Sequence, residues 1–200
     1  MPFQNRVDPW GRLFRTPARG TFMGNRGGAL HNDAREIVRQ HKSHRWITCA
    51  LKFKGWHREV MTPGRYTELF FLDEAVAFAA GHRPCAECRR SHFNAFLAAW
   101  RLSHAQPPTA IVRAPDIDAE LHSARKVTYQ APLASLPNGS FVEINAAAWL
   151  VWHEALYRWS PEGYVSREPR AGRTVTVLTP APIVECFRAG YLPQIHESYR

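Results

Sequence analysis

The chain has 200 residues, 45% of them hydrophobic, which suffices for the core of one ordinary domain or of two small ones. No apolar run approaches the roughly 18 residues of a membrane span, the N-terminus lacks the apolar region of a signal peptide, and the four cysteines do not resemble a disulfide framework, so we expect a cytoplasmic protein. Residues 1–65 contain 13 Lys/Arg and 4 Asp/Glu and account for the whole net charge of +9, whereas residues 66–200 contain 13 of each.

The basic first third of the chain is also rich in glycine. We interpret residues 1–40 as an irregular N-terminal arm in which segment 19–28 combines four glycines with two arginines. Backbone amides and guanidinium groups of this kind could bind phosphates, and the charge asymmetry favours nucleic acid as the partner. A structural loop and a merely basic surface are the alternatives. A short helix capped by Asn32 or Asp33 is predicted to end near residue 41.

Residues 41–105 predict a small module of strands and helices. Alternating apolar residues indicate strands, and turn and capping residues mark where the elements begin and end. The predicted elements are, in chain order, a strand at 46–53, a second strand at 58–61, a third strand at 68–71, a helix from Asp73 to Ala80 and a longer helix from Pro84 to about Ser103.

Pro107-Pro108 is the clearest linker, so we predict a second α/β lobe of unknown role over residues 109–200. Its predicted elements are a strand at 109–113, a helix at 116–126, a strand after the turn at 136–140, a segment at 149–157 that could be helix or strand, a strand at 174–178 and a helix ending at Arg188. The fold class is therefore α+β, with the small module packed on this lobe.

The module contains a candidate zinc site. Cys85 and Cys88 form a Cys-x-x-Cys pair, which can place two thiolates on one metal ion, most often zinc. Cys49 is a candidate third ligand, although it shares the apolar face of its strand and could be an ordinary core residue. The fourth ligand is left open between His57, just after the predicted turn, and His92, four residues after Cys88 on the same helix face.

The segment Phe70–Cys88 resembles the zinc-binding domain of the Ada-type DNA methyl-damage repair proteins. The resemblance rests on an Ala-rich helix followed by Gly-x-Arg-Pro-Cys-x-x-Cys and is specific over about 20 residues. The whole chain also resembles an uncharacterised bacterial family, which implies no activity. In the Ada-type family four cysteines bind zinc, and one upstream cysteine accepts a methyl group from a DNA phosphotriester. The resemblance implies that Cys85 and Cys88 match the downstream pair and that Cys49 matches one upstream cysteine; His57 lies near the place of the other.

These observations predict a zinc-containing nucleic-acid-binding protein, most plausibly acting on DNA in repair or processing. One alternative is an enzyme acting on DNA, either through an alkyl-accepting Cys49 or through a nuclease-like site at His31. The other is a zinc-stabilised scaffold that binds another protein. In the preferred interpretation phosphates are contacted by basic residues, which are Arg15, Arg19, Arg26, Arg45, Lys52, Lys54, Arg58, Arg89 and Arg90.

Overall fold

The computed structural model describes residues 1–55, 59–107, 109, 111–125 and 127–200. His57, Arg58 and Pro108 lie outside the described residues. The strands are β1 (Arg6–Val7), β2 (Leu13–Phe14), β3 (Phe22–Asn25), β4 (Ile47–Cys49), β5 (Leu69–Phe71), β6 (Arg83–Pro84), β7 (Tyr129–Pro132), β8 (Phe141–Ile144), β9 (Ala147–Trp152), β10 (Ala155–Ser160), β11 (Gly163–Pro169) and β12 (Thr174–Val177). The helices are α1 (Glu74–Ala79), α2 (Arg90–Ser103), α3 (Ala114–Ala124) and α4 (Ala181–Arg188). The predicted mixture of helices and strands is confirmed.

The first sheet combines strands from residues 1–40 with strands from residues 41–105, in the order β2-β1-β5-β3-β4-β6. β1 pairs with β5 and β4 pairs with β6 in parallel, and the other pairs are antiparallel. β3 runs through the glycine-rich segment, so the prediction of an irregular arm is wrong there. A Cβ on Gly24 would lie 2.2 Å from the Ile47 carbonyl oxygen, and glycine is therefore what allows β3 to lie so close to β4.

Helix α1 covers the inner face of the first sheet. Asp73 begins the helix by accepting a hydrogen bond from the Val76 N–H at 2.9 Å, as predicted for a capping aspartate. Leu69 and Phe71 of β5 are fully buried in one apolar cluster with the small residues of α1. The same cluster includes residues of the second sheet, among them Phe141 and Leu150. One continuous core thus joins the two sheets.

The second sheet is antiparallel throughout, in the order β11-β10-β9-β8-β12-β7. The segment at 149–157, which the sequence left open between helix and strand, forms the pairing of β9 with β10. Helices α2 and α4 pack together beside the sheets, in a second apolar cluster that includes Phe96 and Phe187. The strand predicted at 109–113 is not found in the described residues of that segment.

Two predicted helices differ from the structure. The segment after Asn32 forms a loop because the Asn32 side chain accepts the Glu36 N–H at 2.9 Å, which competes with helical hydrogen bonding, and because Arg35 has a φ of 60°. The longer helix begins at Arg90 and not at Pro84, since Pro84 belongs to β6. Cys85 and Cys88 therefore lie in a turn that precedes α2.

Buried polar contacts connect the start of α1 with the last third of the chain. Asp73 accepts a hydrogen bond from the Tyr164 hydroxyl at 2.6 Å, and Glu74 accepts one from the Tyr191 hydroxyl at 2.7 Å. Glu74 also forms a buried ion pair with Arg89 at 2.6 Å. Because buried polar groups are costly unless they are paired, these contacts fix how α1 packs against the second sheet and the C-terminal segment.

Candidate metal centre

Three cysteines meet where the paired strands β4 and β6 end. The two strands are parallel with Thr48 opposite Pro84, so the next residues, Cys49 and Cys85, lie side by side. A hydrogen bond of 2.9 Å from the Cys85 N–H to the Thr48 carbonyl oxygen holds this register. The turn after Cys85 then brings Cys88 back toward the same point.

The geometry of this cluster suits a metal ion. The Sγ atoms of Cys49, Cys85 and Cys88 all lie within 4.8 Å of one another. A zinc–sulfur distance of about 2.3 Å in a tetrahedral site places sulfurs about 3.8 Å apart, so any contraction that a metal would require is at most about 1 Å. Cys49 is buried, and Cys85 and Cys88 are half-buried. The three cysteines could therefore hold a metal ion with little rearrangement.

The three thiols also shift one another's pKa values. Hydrogen bonds from Cys49 and then Cys88 lower the pKa of Cys85, whereas hydrogen bonding to Cys85 and Cys88, together with burial, raises the pKa of Cys49. One thiolate is thus stabilised by two neighbouring thiols. A bound cation would replace the thiol protons, because thiolates are the form of cysteine that ligates metals.

The two histidines considered as the fourth ligand have different outcomes. His57 lies outside the described residues, so its prediction stays open. His92 is half-buried on α2, where its Nδ1 lies 3.4 Å from the Ser91 hydroxyl, and it does not join the cysteine cluster. Among the described residues, no other group of three potential metal ligands comes as close together as the three cysteines.

The cysteines line a cavity of about 330 Å³ on the outer face of the first sheet. Its floor follows from strand register, since alternate residues of neighbouring strands point to the same face. β3 contributes Met23 and Asn25, β4 contributes Ile47 and Cys49, and β5 contributes Phe70 with the preceding Glu68. The remaining wall comes from the described residues before and after positions 56–58, and it includes Leu51, Phe53, Val60 and Tyr66.

Asn25 and Glu68 were not predicted as site residues. Glu68 is only 2% exposed and accepts a hydrogen bond from the Met61 N–H at 2.8 Å. The side-chain Oδ1 of Asn25 accepts a hydrogen bond from the Gly27 N–H at 3.1 Å, which orients the side-chain amide. Because Glu68 and Phe70 are two positions apart in a predicted strand, the sequence indicates that their side chains share one face of the sheet. It does not indicate that the cysteines lie on that face.

Two further cavities adjoin the one beside the cysteines, and Leu51 lines all three. One of them contains Arg6 and Arg19, and the other contains Arg90 and His92. We call the three cavities together the Leu51 groove. Both cavities that adjoin the cysteine cavity therefore contain guanidinium groups.

The residues predicted to contact phosphates fall into three groups. Arg58 lies outside the described residues. Arg26 and Arg89 are 1% and 5% exposed, which places them in the interior. The others lie on the surface and are Arg15, Arg19, Arg45, Lys52, Lys54 and Arg90.

Arg26 shows why a basic residue can be structural. Its guanidinium lies 3.8 Å from the Trp46 ring centroid and donates to the Gly11 carbonyl oxygen at 2.9 Å. Burial, and then the charge of Arg125, lowers the pKa of Arg26 to about 9. Arg89 is held by its ion pair with Glu74. Neither guanidinium is placed to meet a phosphate.

His31, the residue of the nuclease-like alternative, is also internal. Its Nδ1 lies 2.6 Å from the Thr67 hydroxyl and its Nε2 lies 3.2 Å from the Thr62 carbonyl oxygen. Both ring nitrogens are therefore engaged within the protein, and the ring is only 7% exposed. This arrangement anchors the loop after residue 30 and gives no support to a nuclease site at His31.

None of the helices in the described part of the chain is both long and apolar enough to cross a membrane. Comparisons with protein-family models, with curated proteins and with solved structures found no match to this chain.

Proposed function

We propose that this is a cytoplasmic zinc-binding protein that acts on nucleic acid, with Cys49, Cys85 and Cys88 as zinc ligands. The convergence of the three Sγ atoms within 4.8 Å carries the proposal. Thiolates are soft ligands that favour zinc among the common metals of a reducing compartment, and four free cysteines fit such a compartment. When bound, zinc supplies a fixed positive charge that holds the three thiolates together.

His57 is retained as the candidate fourth ligand. Phe53 and Val60, which come before and after it in the sequence, both line the cysteine cavity. Ligation by the His57 imidazole would complete a Cys3His set of the kind that zinc favours.

The nucleic-acid part of the proposal rests on where the exposed cations lie. Arg19 and Arg90 each line a cavity that shares residues with the cysteine cavity, and both are exposed. Guanidinium groups form bidentate contacts with phosphate. A strand that contacts either arginine would lie close to the metal centre, and DNA repair or processing is the role that the Ada-type resemblance suggests.

Phosphate contacts predict steep salt dependence. Affinity for a single-stranded oligonucleotide is expected to fall log-linearly with salt, and Arg19→Ala or Arg90→Ala is expected to lower the slope by about 0.7 for each phosphate that the variant no longer binds. Fluorescence anisotropy at several salt concentrations measures both quantities. Arg158→Ala, at an exposed arginine of β10 in the second sheet, is the matched control and is expected to leave the slope unchanged.

Two results would contradict the nucleic-acid proposal. One is binding whose affinity does not change with salt. The other is no binding even at low salt, which would favour the zinc-stabilised scaffold instead. A decrease in slope for Arg158→Ala equal to that for Arg19→Ala would show that binding is not localised to the Leu51 groove.

An alkyl-accepting enzyme is the second candidate, and it is favoured because all three sulfurs line the same cavity. In that reaction a methyl carbon–oxygen bond of a phosphotriester breaks, a sulfur–carbon bond forms, and the phosphodiester leaves as an anion. Incubation with methylated DNA is expected to add one methyl group to a peptide containing Cys49, Cys85 or Cys88. Mass spectrometry of the digested protein makes the measurement, and an unmodified cluster beside intact repair substrate would exclude this candidate.

A further inference from the structure

We propose that the cavity containing Arg6 and Arg19 binds the terminal phosphate group of a nucleotide, with the sugar and base against its apolar wall. The inference deepens the proposed nucleic-acid function, on which it rests for the source of that phosphate, because it distinguishes the end of a strand from its internal phosphates. It depends on how Arg6 is held, on the charges around it and on the side chains that line the cavity.

Two neutral acceptors hold the guanidinium of Arg6 in place. Its Nε donates to the Ala18 carbonyl oxygen at 2.7 Å, and its Nη1 donates to the Asn5 side-chain oxygen at 2.6 Å. Asn5 is only 1% exposed, so the second acceptor is itself fixed by burial. A guanidinium has five N–H donors, and these two hydrogen bonds do not exhaust them. Arg6 is thus oriented before any ligand binds, which lowers the entropic cost of binding.

The same contacts bring a second cation to the cavity. Ala18 immediately precedes Arg19, so the hydrogen bond from Arg6 ends on the peptide group that joins Ala18 to Arg19. Gly20, on the other side of Arg19, packs so closely against β5 that a Cβ on it would lie 2.0 Å from the Phe71 carbonyl oxygen. Arg19 is exposed and lines the same cavity as Arg6. The two guanidinium groups therefore belong to one site.

No carboxylate in the described part of the chain neutralises this pair of cations. The described residues that line the cavity include no aspartate or glutamate, and neither Arg6 nor Arg19 forms an ion pair with a described residue. Arg89, by contrast, is paired with Glu74. Burial, and then the charge of Arg19, lowers the pKa of Arg6, so the two cations repel each other. An anion between them would remove this repulsion.

A terminal phosphate matches this charge better than an internal one. A phosphate monoester carries a charge of about −1.5 to −2 near neutral pH and has three strong acceptor oxygens, whereas each phosphate within a strand carries a charge of about −1. Guanidinium groups form bidentate contacts with phosphate oxygens. Two arginines in a cavity that no described carboxylate lines therefore favour the more highly charged group at the end of a strand.

The rest of the cavity provides an apolar wall for the nucleoside. Its volume is about 600 Å³, which lies within the range of small-molecule sites, and its lining includes Phe3, Leu51, Val60 and Phe70. The Arg6 guanidinium lies 4.7 Å from the Phe70 ring centroid, so the same ring contacts the cation and lines the cavity. Apolar and aromatic side chains of this kind bind the sugar and the base of a nucleotide. A nucleotide is therefore a better match than a bare inorganic ion.

The wall is held together by contacts between distant parts of the chain. The Arg35 guanidinium lies 5.4 Å from the Phe3 ring centroid, and Arg35 forms an ion pair with Glu59, the residue before Val60. Phe3 and Val60, which both line the cavity, are therefore connected through Arg35. The carboxylate of Glu59 is engaged by this pair and is not part of the cavity lining.

The experiment compares thymidine oligonucleotides of one length that differ only at their ends. One carries a 5′-phosphate, one carries a 3′-phosphate, one has hydroxyl groups at both ends, and one is circular and has no ends. Competition against a fluorescent hydroxyl-ended strand measures the affinity of each for the zinc-loaded protein. At least one phosphorylated strand is expected to bind about tenfold more tightly than the hydroxyl-ended and circular strands, because it gains charge-assisted hydrogen bonds to the two arginines.

Arg19→Ala is expected to abolish the preference for a phosphorylated end. Arg90→Ala is the matched control, because Arg90 is also exposed but does not line this cavity. It is expected to weaken the binding of all strands and to keep the tenfold ratio between phosphorylated and hydroxyl-ended strands. Substitutions at exposed positions seldom prevent folding. A preference that persists unchanged in Arg19→Ala would show a general attraction for added charge and would overturn the site.

Thymidine monophosphates, with the phosphate at the 5′ or the 3′ position, separate a strand end from a free nucleotide as the source of the phosphate. Calorimetric titration is expected to show binding of one monophosphate and none of thymidine. If this monophosphate binds through Arg19 but no strand binds at low salt, the site takes a free nucleotide and the nucleic-acid function is wrong. Equal, salt-dependent binding of all four oligonucleotides would overturn the terminal-phosphate site and leave the proposed function standing. Absence of binding by strands and monophosphates would overturn both.

Discussion

Replacing Cys85 with serine is expected to reduce the zinc content from about one ion per chain to nearly none. Cys85 is one of the three clustered cysteines, and the neighbouring thiols of Cys49 and Cys88 lower its pKa. A serine hydroxyl does not ionise near neutral pH and is a poor zinc ligand compared with a thiolate. The two other thiolates and the candidate ligand His57 remain, and three ligands do not complete the four-ligand set of a structural zinc site. Elemental analysis after purification without chelator measures the decrease.

The same substitution is expected to lower thermal stability, because the free energy of binding a structural metal contributes to the free energy of folding. A chelator should therefore destabilise the unaltered protein and have little further effect on the Cys85→Ser variant. Differential scanning calorimetry with and without chelator measures both effects.

Cys186→Ala is the matched control for the removal of a thiol. Cys186 is fully buried in the apolar cluster of α2 and α4, away from the other cysteines. Its replacement is expected to lose packing energy of about 1 kcal/mol and to keep the full zinc content. Zinc retained by Cys85→Ser, or no metal in the unaltered protein, would contradict a zinc site at the cluster.

The parts of the fold that the sequence predicted correctly depend on local signals. The strand at 68–71 and the helix capped by Asp73 follow from alternation and capping within a few residues. The cysteine cluster was reached in the same way, since a Cys-x-x-Cys pair brings its own two ligands together. Cys49 was an open choice between ligand and core residue, and the parallel pairing of β4 with β6 is what brings it to the pair.

The parts that could not be predicted depend on contacts between distant residues. Nothing near Arg26 in the sequence reveals that Gly11 and Trp46 enclose its guanidinium. Likewise, the carboxylate that pairs with Arg89 lies 15 positions earlier, on α1. Composition alone suggests that such arginines are surface charges. In the folded protein, Arg26 and Arg89 are buried and donate hydrogen bonds to other residues of the chain. The same limit applies to Glu68, which reaches the cysteine cavity only because β5, β3 and β4 are neighbours.

Glu74→Ala is expected to destabilise the protein by about 3–5 kcal/mol, because it leaves the Arg89 guanidinium buried without its anion. The side chains of Glu74 and Arg89 are 0% and 3% exposed. The Tyr191 hydroxyl and the Gln194 N–H also donate to Glu74, at 2.7 and 2.9 Å, and have no acceptor there in the variant. For a chain of this size the midpoint of thermal unfolding is expected to fall by about 6–20 °C.

A surface ion pair in the same chain provides the comparison. Glu185 and Arg188 lie 3.3 Å apart on α4, with side chains 52% and 41% exposed, so Glu185→Ala is expected to cost less than about 1 kcal/mol. Adding Arg89→Met to Glu74→Ala is expected to recover part of the stability, since the uncompensated charge is removed. If urea unfolding showed that Glu74→Ala and Glu185→Ala lower the free energy of unfolding equally, this would contradict a stabilising role for the buried ion pair of Glu74 with Arg89. Unfolding of the Glu74→Ala variant is expected to show one transition at a lower urea concentration. Glu74 connects α1 with the C-terminal segment, so these two parts cannot separate without exposing Glu74.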